Sequence, residues 1–223
     1  MNRWKAFSLH WLLSLALITS IAIAALLVWY PYGLYRISGL SRLMAVMLVI
    51  DVTAGPLMTL LIYKPGKWGL RFDLTVIALV QAAFLGYGLH TLWLARPVFL
   101  VGSDVRFDLV FAGEIDATEL AKAKHPEWRY LGWRGPALVG VLPPTDKNER
   151  RALLDVYMKT GRDLEQLPSQ YRPFQDVVPA MLRNAQPVAG KADLVGVPIF
   201  SRNGEGTMLV DAQTGLPRKL IIP

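Results

Sequence analysis

The chain of 223 residues contains no cysteine, is 53% hydrophobic and is only 18% charged, which is greasier than an ordinary soluble domain. The missing cysteines exclude disulfides, thiol redox chemistry and cysteine-based metal sites. The formal net charge of +7 does not point to nucleic acid, because the excess lies in residues 1–96, where eight Lys/Arg face only Asp51 and Asp73. Cations at the ends of apolar runs are what orientation in a membrane requires.

Residues 11–30 hold no charge and reach the roughly 20 residues that cross a hydrocarbon core. Arg3 and Lys5 precede them in the manner of a signal peptide, and Ala22-Ile23-Ala24 has the small-x-small form of a cleavage site. Because the apolar run continues through Leu26, Leu27 and Val28, an uncleaved anchor is expected. Trp29, Tyr30, Tyr32 and Tyr35 follow as an aromatic belt suited to a membrane interface. A second span is predicted at 41–63, stopped by Lys64-Pro65-Gly66-Lys67, and a third at 74–95, closed by Arg96-Pro97. Lysines and arginines favour the amino-terminal tail and the loop between spans two and three, which predicts an inside amino terminus and an outside carboxy-terminal region.

From Pro97 the composition is that of a soluble domain. Strands are predicted at 98–101, 106–111 and 137–142, the second with Phe107, Leu109 and Phe111 at alternate positions. Asp116 and Glu119 form a capping box for a short helix through about Lys124, and Thr145 is expected to cap a helix ending at Gly161. A shorter helix is predicted near 174–184, and 185–194 reads as a connection. Strands at 197–202, 207–210 and 219–222 read as a meander. The expected fold is therefore a three-helix transmembrane bundle over 1–96, followed by a small α+β extracytoplasmic domain over 97–223 with a C-terminal β-meander.

Asp51 falls near the middle of the second span, where an ionised carboxylate costs about 2.5–3.5 kcal/mol. Asp51, Gly55 and Thr59 recur at helical spacing and form one polar or small stripe, and Pro56 should kink the helix by crowding the Val52 carbonyl. In the third span Gln81 can donate to Asp51, and Gly88 lies seven residues on, on a similar face. The stripe admits two readings, a hydrogen bond that locks the bundle and a seat for a transmembrane helix of another protein.

His10, His90 and His125 are too dispersed for a metal site, and no metal or cofactor is expected. Asp51 and Asp73 lie at different depths and do not suit a paired-carboxylate protease. No nucleophile elbow or phosphate loop is visible, so no catalytic residue is assigned. In the outer domain Trp128, Trp133 and Arg134 offer a candidate contact surface, although the tryptophans also suit packing on the domain or at the membrane interface.

The order of several short motifs resembles the type IV pilin accessory proteins of Gram-negative bacteria. The matching stretches are Arg3-Trp4-Lys5-Ala6-Phe7 with His10, Trp29-Tyr30-Pro31, Asp51-Val52, Gly55-Pro56-Leu57, Thr59-Leu60 and Lys64-Pro65-Gly66-Lys67. Leu70-Arg71-Phe72-Asp73-Leu74, Gln81, Tyr87-Gly88, Arg96-Pro97-Val98 and Arg106-Phe107-Asp108 continue the match, which covers most of 3–110. The resemblance implies a non-enzymatic, chaperone-like protein of the bacterial inner membrane, its outer domain periplasmic, that assists a cognate type IV major pilin. Its partner-helix residues would be Asp51, Gly55, Pro56, Thr59, Gln81 and Gly88. The competing class is a subunit of an oligomeric transporter or channel, with Asp51 as an intramembrane cation site.

Overall fold

A computed structural model describes residues 2–222, which divide into two compact units, one of residues 2–27 and 39–93 and the other of 28–38 and 94–222. Among the described residues, three helical stretches are long and apolar enough to cross a membrane: Arg3–Trp29, Leu40–Ile62 and Leu70–Leu94. The first is helix α1 and the third is α4. The middle stretch is composite, with α2 at Leu40–Leu48, a π-helical segment at Val49–Ala54 and α3 at Gly55–Ile62. The kink expected from Pro56 thus takes the form of a widened turn just before it. Widening relieves the contact between the proline ring and the preceding turn.

Within this unit α1 buries Ala6, Ser14, Ile18 and Ala25, which are mostly small and spaced to share a face. Ile18, Met47 and Val52 form its apolar cluster, flanked by Leu15, Leu43 and Leu85. Small residues at helix contacts are the rule where lipid competes for every apolar surface.

The second unit is built on one mixed sheet. Strand β1 (Pro97–Gly102) pairs antiparallel with β2 (Phe107–Phe111) and parallel with β3 (Ala137–Gly140). Strand β5 (Lys191–Ser201) pairs parallel with β2 through Phe107 and Asp108, and antiparallel with β6 (Gly204–Asp211), which pairs with β7 (Pro217–Ile221). The C-terminal meander is therefore present, in the order β3-β1-β2-β5-β6-β7. Residues 185–194 are not a plain connection: β4 (Gln186–Val188) turns directly into β5 and pairs with it. Helices α5 (Ala117–Ala121), α6 (Lys147–Thr160) and α7 (Val178–Asn184) lie between the strands in the chain.

Asp116 caps α5, its carboxylate accepting from the Thr118 amide. The cap of α6 is Asp146 rather than Thr145, because a carboxylate one residue later reaches the amides of Asn148 and Glu149. Gly161 closes α6 with φ of +69°. The core gathers Val98, Phe99, Val101, Val110, Val139 and Val141 around Trp128 and Tyr171.

Residues 28–38 pack with this second unit. Tyr30, Leu34 and Ile37 are buried, the Tyr30 hydroxyl donates to the Ala95 carbonyl, and the Ser201 hydroxyl donates to the Ile37 carbonyl. The expected aromatic belt is thus divided, with Tyr30 inside the fold and Tyr32 and Tyr35 exposed.

Candidate partner-helix site

The widened turn explains how Asp51, Gly55, Pro56 and Gln81 come to act together. In a π-helical register the donor facing the Asp51 carbonyl is the nitrogen of Pro56, which carries no hydrogen. Gln81 on α4 supplies the missing donor, its Nε2 lying 3.3 Å from the Asp51 main-chain oxygen. Room for that amide depends on Gly55, since a Cβ there would fall 1.8 Å from Gln81 Nε2. Gln81 therefore meets the backbone of Asp51 and not its side chain. Asp51 is 7% exposed, and among the described residues its carboxylate has no hydrogen-bond or ion-pair partner.

One turn further on, the buried Thr59 donates its hydroxyl hydrogen to the Gly55 carbonyl at 3.2 Å. His10 Nδ1 of α1 lies 2.7 Å from the same Thr59 oxygen. Which of the two donates follows the histidine tautomer: with the Thr59 hydroxyl hydrogen on the Gly55 carbonyl, His10 donates from Nδ1. Gly88 faces the Met47 side chain, and a Cβ at this position would fall 2.9 Å from Met47 Cε. The stripe is thus engaged by the chain's own helices at Gly55, Thr59 and Gly88.

Two grooves flank Gln81. One, of about 290 Å³, is almost wholly apolar and is lined by Ile50, Ala54, Gly55 and Met58 on one side and by Val80 and Phe84 on α4. The other, also about 290 Å³, runs between α1 and α4 and presents His10, Thr59 and Gln81 among Leu9, Leu13 and Ala78. His10 is the participant the sequence did not reveal. It lies 49 residues from Thr59, and no local pattern joins them.

In the outer unit the predicted contact residues separate. Trp128 is buried, 4.2 Å from the His125 ring and edge-on to Tyr171. Trp133 is exposed, with the Arg134 guanidinium 4.9 Å above its ring. A separate ion cluster joins Arg106 to Asp108 at 2.8 Å and to Glu165 at 3.1 Å. Burial pushes the Asp108 carboxyl up to about 6, the Glu165 charge adds to this, and Arg106 only partly offsets both. Burial works against the Arg106 charge, but its two carboxylates outweigh this and hold it above the usual guanidinium range. The described residues contain no group of three or more potential metal ligands.

No protein-family profile and no solved structure matches the chain. Three relatives from Dichelobacter nodosus do. The chain is 29% identical to the fimbrial assembly protein of serogroup I over 187 residues, which is 83% of this chain and 72% of the relative. It is 28% identical to that of serogroup E1, with the same coverage. With the protein of serogroups C1 and C2 it shares 32% identity over 121 residues, covering 53% of this chain and 92% of the relative. Three apolar helices lead into the sheet domain, and a relative is matched at this identity along nearly its whole length, so the chain belongs to the family of fimbrial assembly proteins.

Proposed function

We propose that the chain is a non-enzymatic accessory protein of pilus biogenesis that holds a cognate type IV major pilin in the bacterial inner membrane before or during its assembly. The observation that carries this reading is the groove between α1 and α4, where His10, Thr59 and Gln81 interrupt an otherwise greasy wall. Polar groups facing lipid are costly and favour a partner helix that brings a matching polar group. A pilin awaiting assembly is one apolar helix bearing a large outside head, and side chains of such a helix suit the chemistry of the groove. Asp51 lies on the same span as Thr59, without a partner for its carboxylate among the described residues, and supplies a further acceptor.

In this reading the amino terminus is cytoplasmic and the sheet domain periplasmic. The cations Arg3, Lys5, Lys64, Lys67 and Arg71 then lie on the inner side. The sheet domain then shares its compartment with the pilin head.

The test is co-purification of the cognate pilin with the full-length protein, together with a count of surface pili. Gln81→Leu and Asp51→Ala should each reduce both readouts, and the double variant should reduce them further. Unchanged pilin capture and pilus number in the double variant would falsify the groove.

A further inference from the structure

The loop at residues 129–135 projects aromatic and cationic side chains from the outer unit while its backbone is tied to residues that end apolar spans. Trp29, the last residue of α1, donates its indole Nε1–H to the Trp133 carbonyl at 2.7 Å. Arg96, two residues beyond the end of α4, donates from Nε to the Gly132 carbonyl at 3.4 Å. Gly135 packs on the same turn, with a Cβ position only 3.2 Å from the Pro31 ring and 3.3 Å from the Val28 carbonyl. Buried Trp128 roots the loop in the core, whereas Tyr130 is 76% and Trp133 61% exposed. Arg134 stacks on Trp133, and among the described residues no carboxylate forms a salt bridge with it.

We propose that this loop is a membrane-interface anchor, in which Tyr130 and Trp133 enter the headgroup layer of the bilayer and Arg134 binds a phospholipid phosphate. Rings with one apolar body and one polar end partition to headgroup depth, which is where the end of an apolar helix such as Trp29 resides. A guanidinium over an aromatic ring is attracted to its face and still has donors from which a phosphate can accept two hydrogen bonds. The turn that follows α1 adds to the case, because Tyr32 adopts φ of +60° and exposes its ring. A tyrosine in left-handed backbone costs about 1–3 kcal/mol and persists only where its surroundings fix it. This anchor does not depend on pilin binding.

The absence of native cysteine allows a single reporter. Gly132→Cys is suited to it, since a Cβ there meets nothing within 4 Å. The full-length protein carrying a nitroxide at this position is placed in nanodiscs of phosphatidylethanolamine and phosphatidylglycerol. Power saturation is then measured against oxygen, which favours the bilayer, and a nickel chelate, which favours water. The expected result is a higher collision rate with oxygen. That preference should be lost in the Tyr130→Ser/Trp133→Ser background and weakened by Arg134→Gln, with unchanged unfolding temperatures for these exposed side chains. A nickel preference in the parent, or an oxygen preference that survives the double variant, overturns the anchor. Shielding from both reagents that appears only when purified pilin is added also overturns it, by assigning the loop to protein contact.

Discussion

Helix α4 runs for 25 residues and buries only Ile77, Gly88 and Leu92, whereas all six residues of β1 are buried. Both segments are rich in apolar side chains, and the contrast lies in the solvent each was composed for. Lipid satisfies an apolar surface as well as another helix does, so the first unit is held by small residues and a few polar contacts. Gln81 on the Asp51 carbonyl and His10 on Thr59 are the clearest of these. The second unit removes Phe99, Phe107, Phe111 and Tyr171 from water and rests on the ordinary hydrophobic effect.

This contrast ranks the expected effects of substitution. Phe107 is fully buried and stacks on Phe174 at 5.8 Å, so Phe107→Ala should destabilise the outer unit by about 3–5 kcal/mol in denaturant unfolding. A loss below about 1 kcal/mol would mean that this core is not the main support of the sheet.

The next largest effect is a pH dependence. Asp108 titrates near 6 when folded and near 3.8 when exposed, so its contribution to stability is complete below about pH 4 and is lost as the pH rises through about 6. The stability of the wild type relative to Asp108→Asn should fall over that window by on the order of 3 kcal/mol at most. A difference that is flat with pH would contradict the buried placement of this carboxylate.

In the membrane unit the effects should be smaller and coupled. Gly55→Ala pushes Gln81 off the Asp51 carbonyl, at a cost of about 1–3 kcal/mol. Adding Gln81→Ala should cost little more, because both changes break the same contact. Simple additivity in a double-mutant cycle, measured by unfolding in detergent, would separate the two residues. Thr59→Val, which removes the acceptor for His10, should cost only about 0.6 kcal/mol, the usual value for a polar contact in a bundle.

What the sequence made legible follows the same division. Three spans, the disturbed helix at Pro56 and the final meander each announce themselves through uninterrupted apolar length, a missing amide hydrogen or alternation with turns. Contacts across long separations left no such trace. The His10–Thr59 pair joins two helices, and the capture of residues 28–38 by the sheet domain depends on Ile37 and Ser38 meeting Ser201 and Asn203. The short strand β4 was hidden by Pro187, which is tolerated because it lies at a bulge. Helix α6 has an amphipathic pattern yet buries no residue completely, so its pattern overstated its packing.

The central claim is that a pilin helix seats between α1 and α4. Photocrosslinking in intact membranes tests it most directly, with a photoreactive residue replacing Leu13 or Ala78 in that groove, or Met58 or Phe84 in the apolar groove beside it. The expected result is a crosslink to the cognate pilin from Leu13 and Ala78, lost when Gln81 is replaced by Leu. Crosslinks from Met58 and Phe84 alone, or none from any of the four, would contradict it.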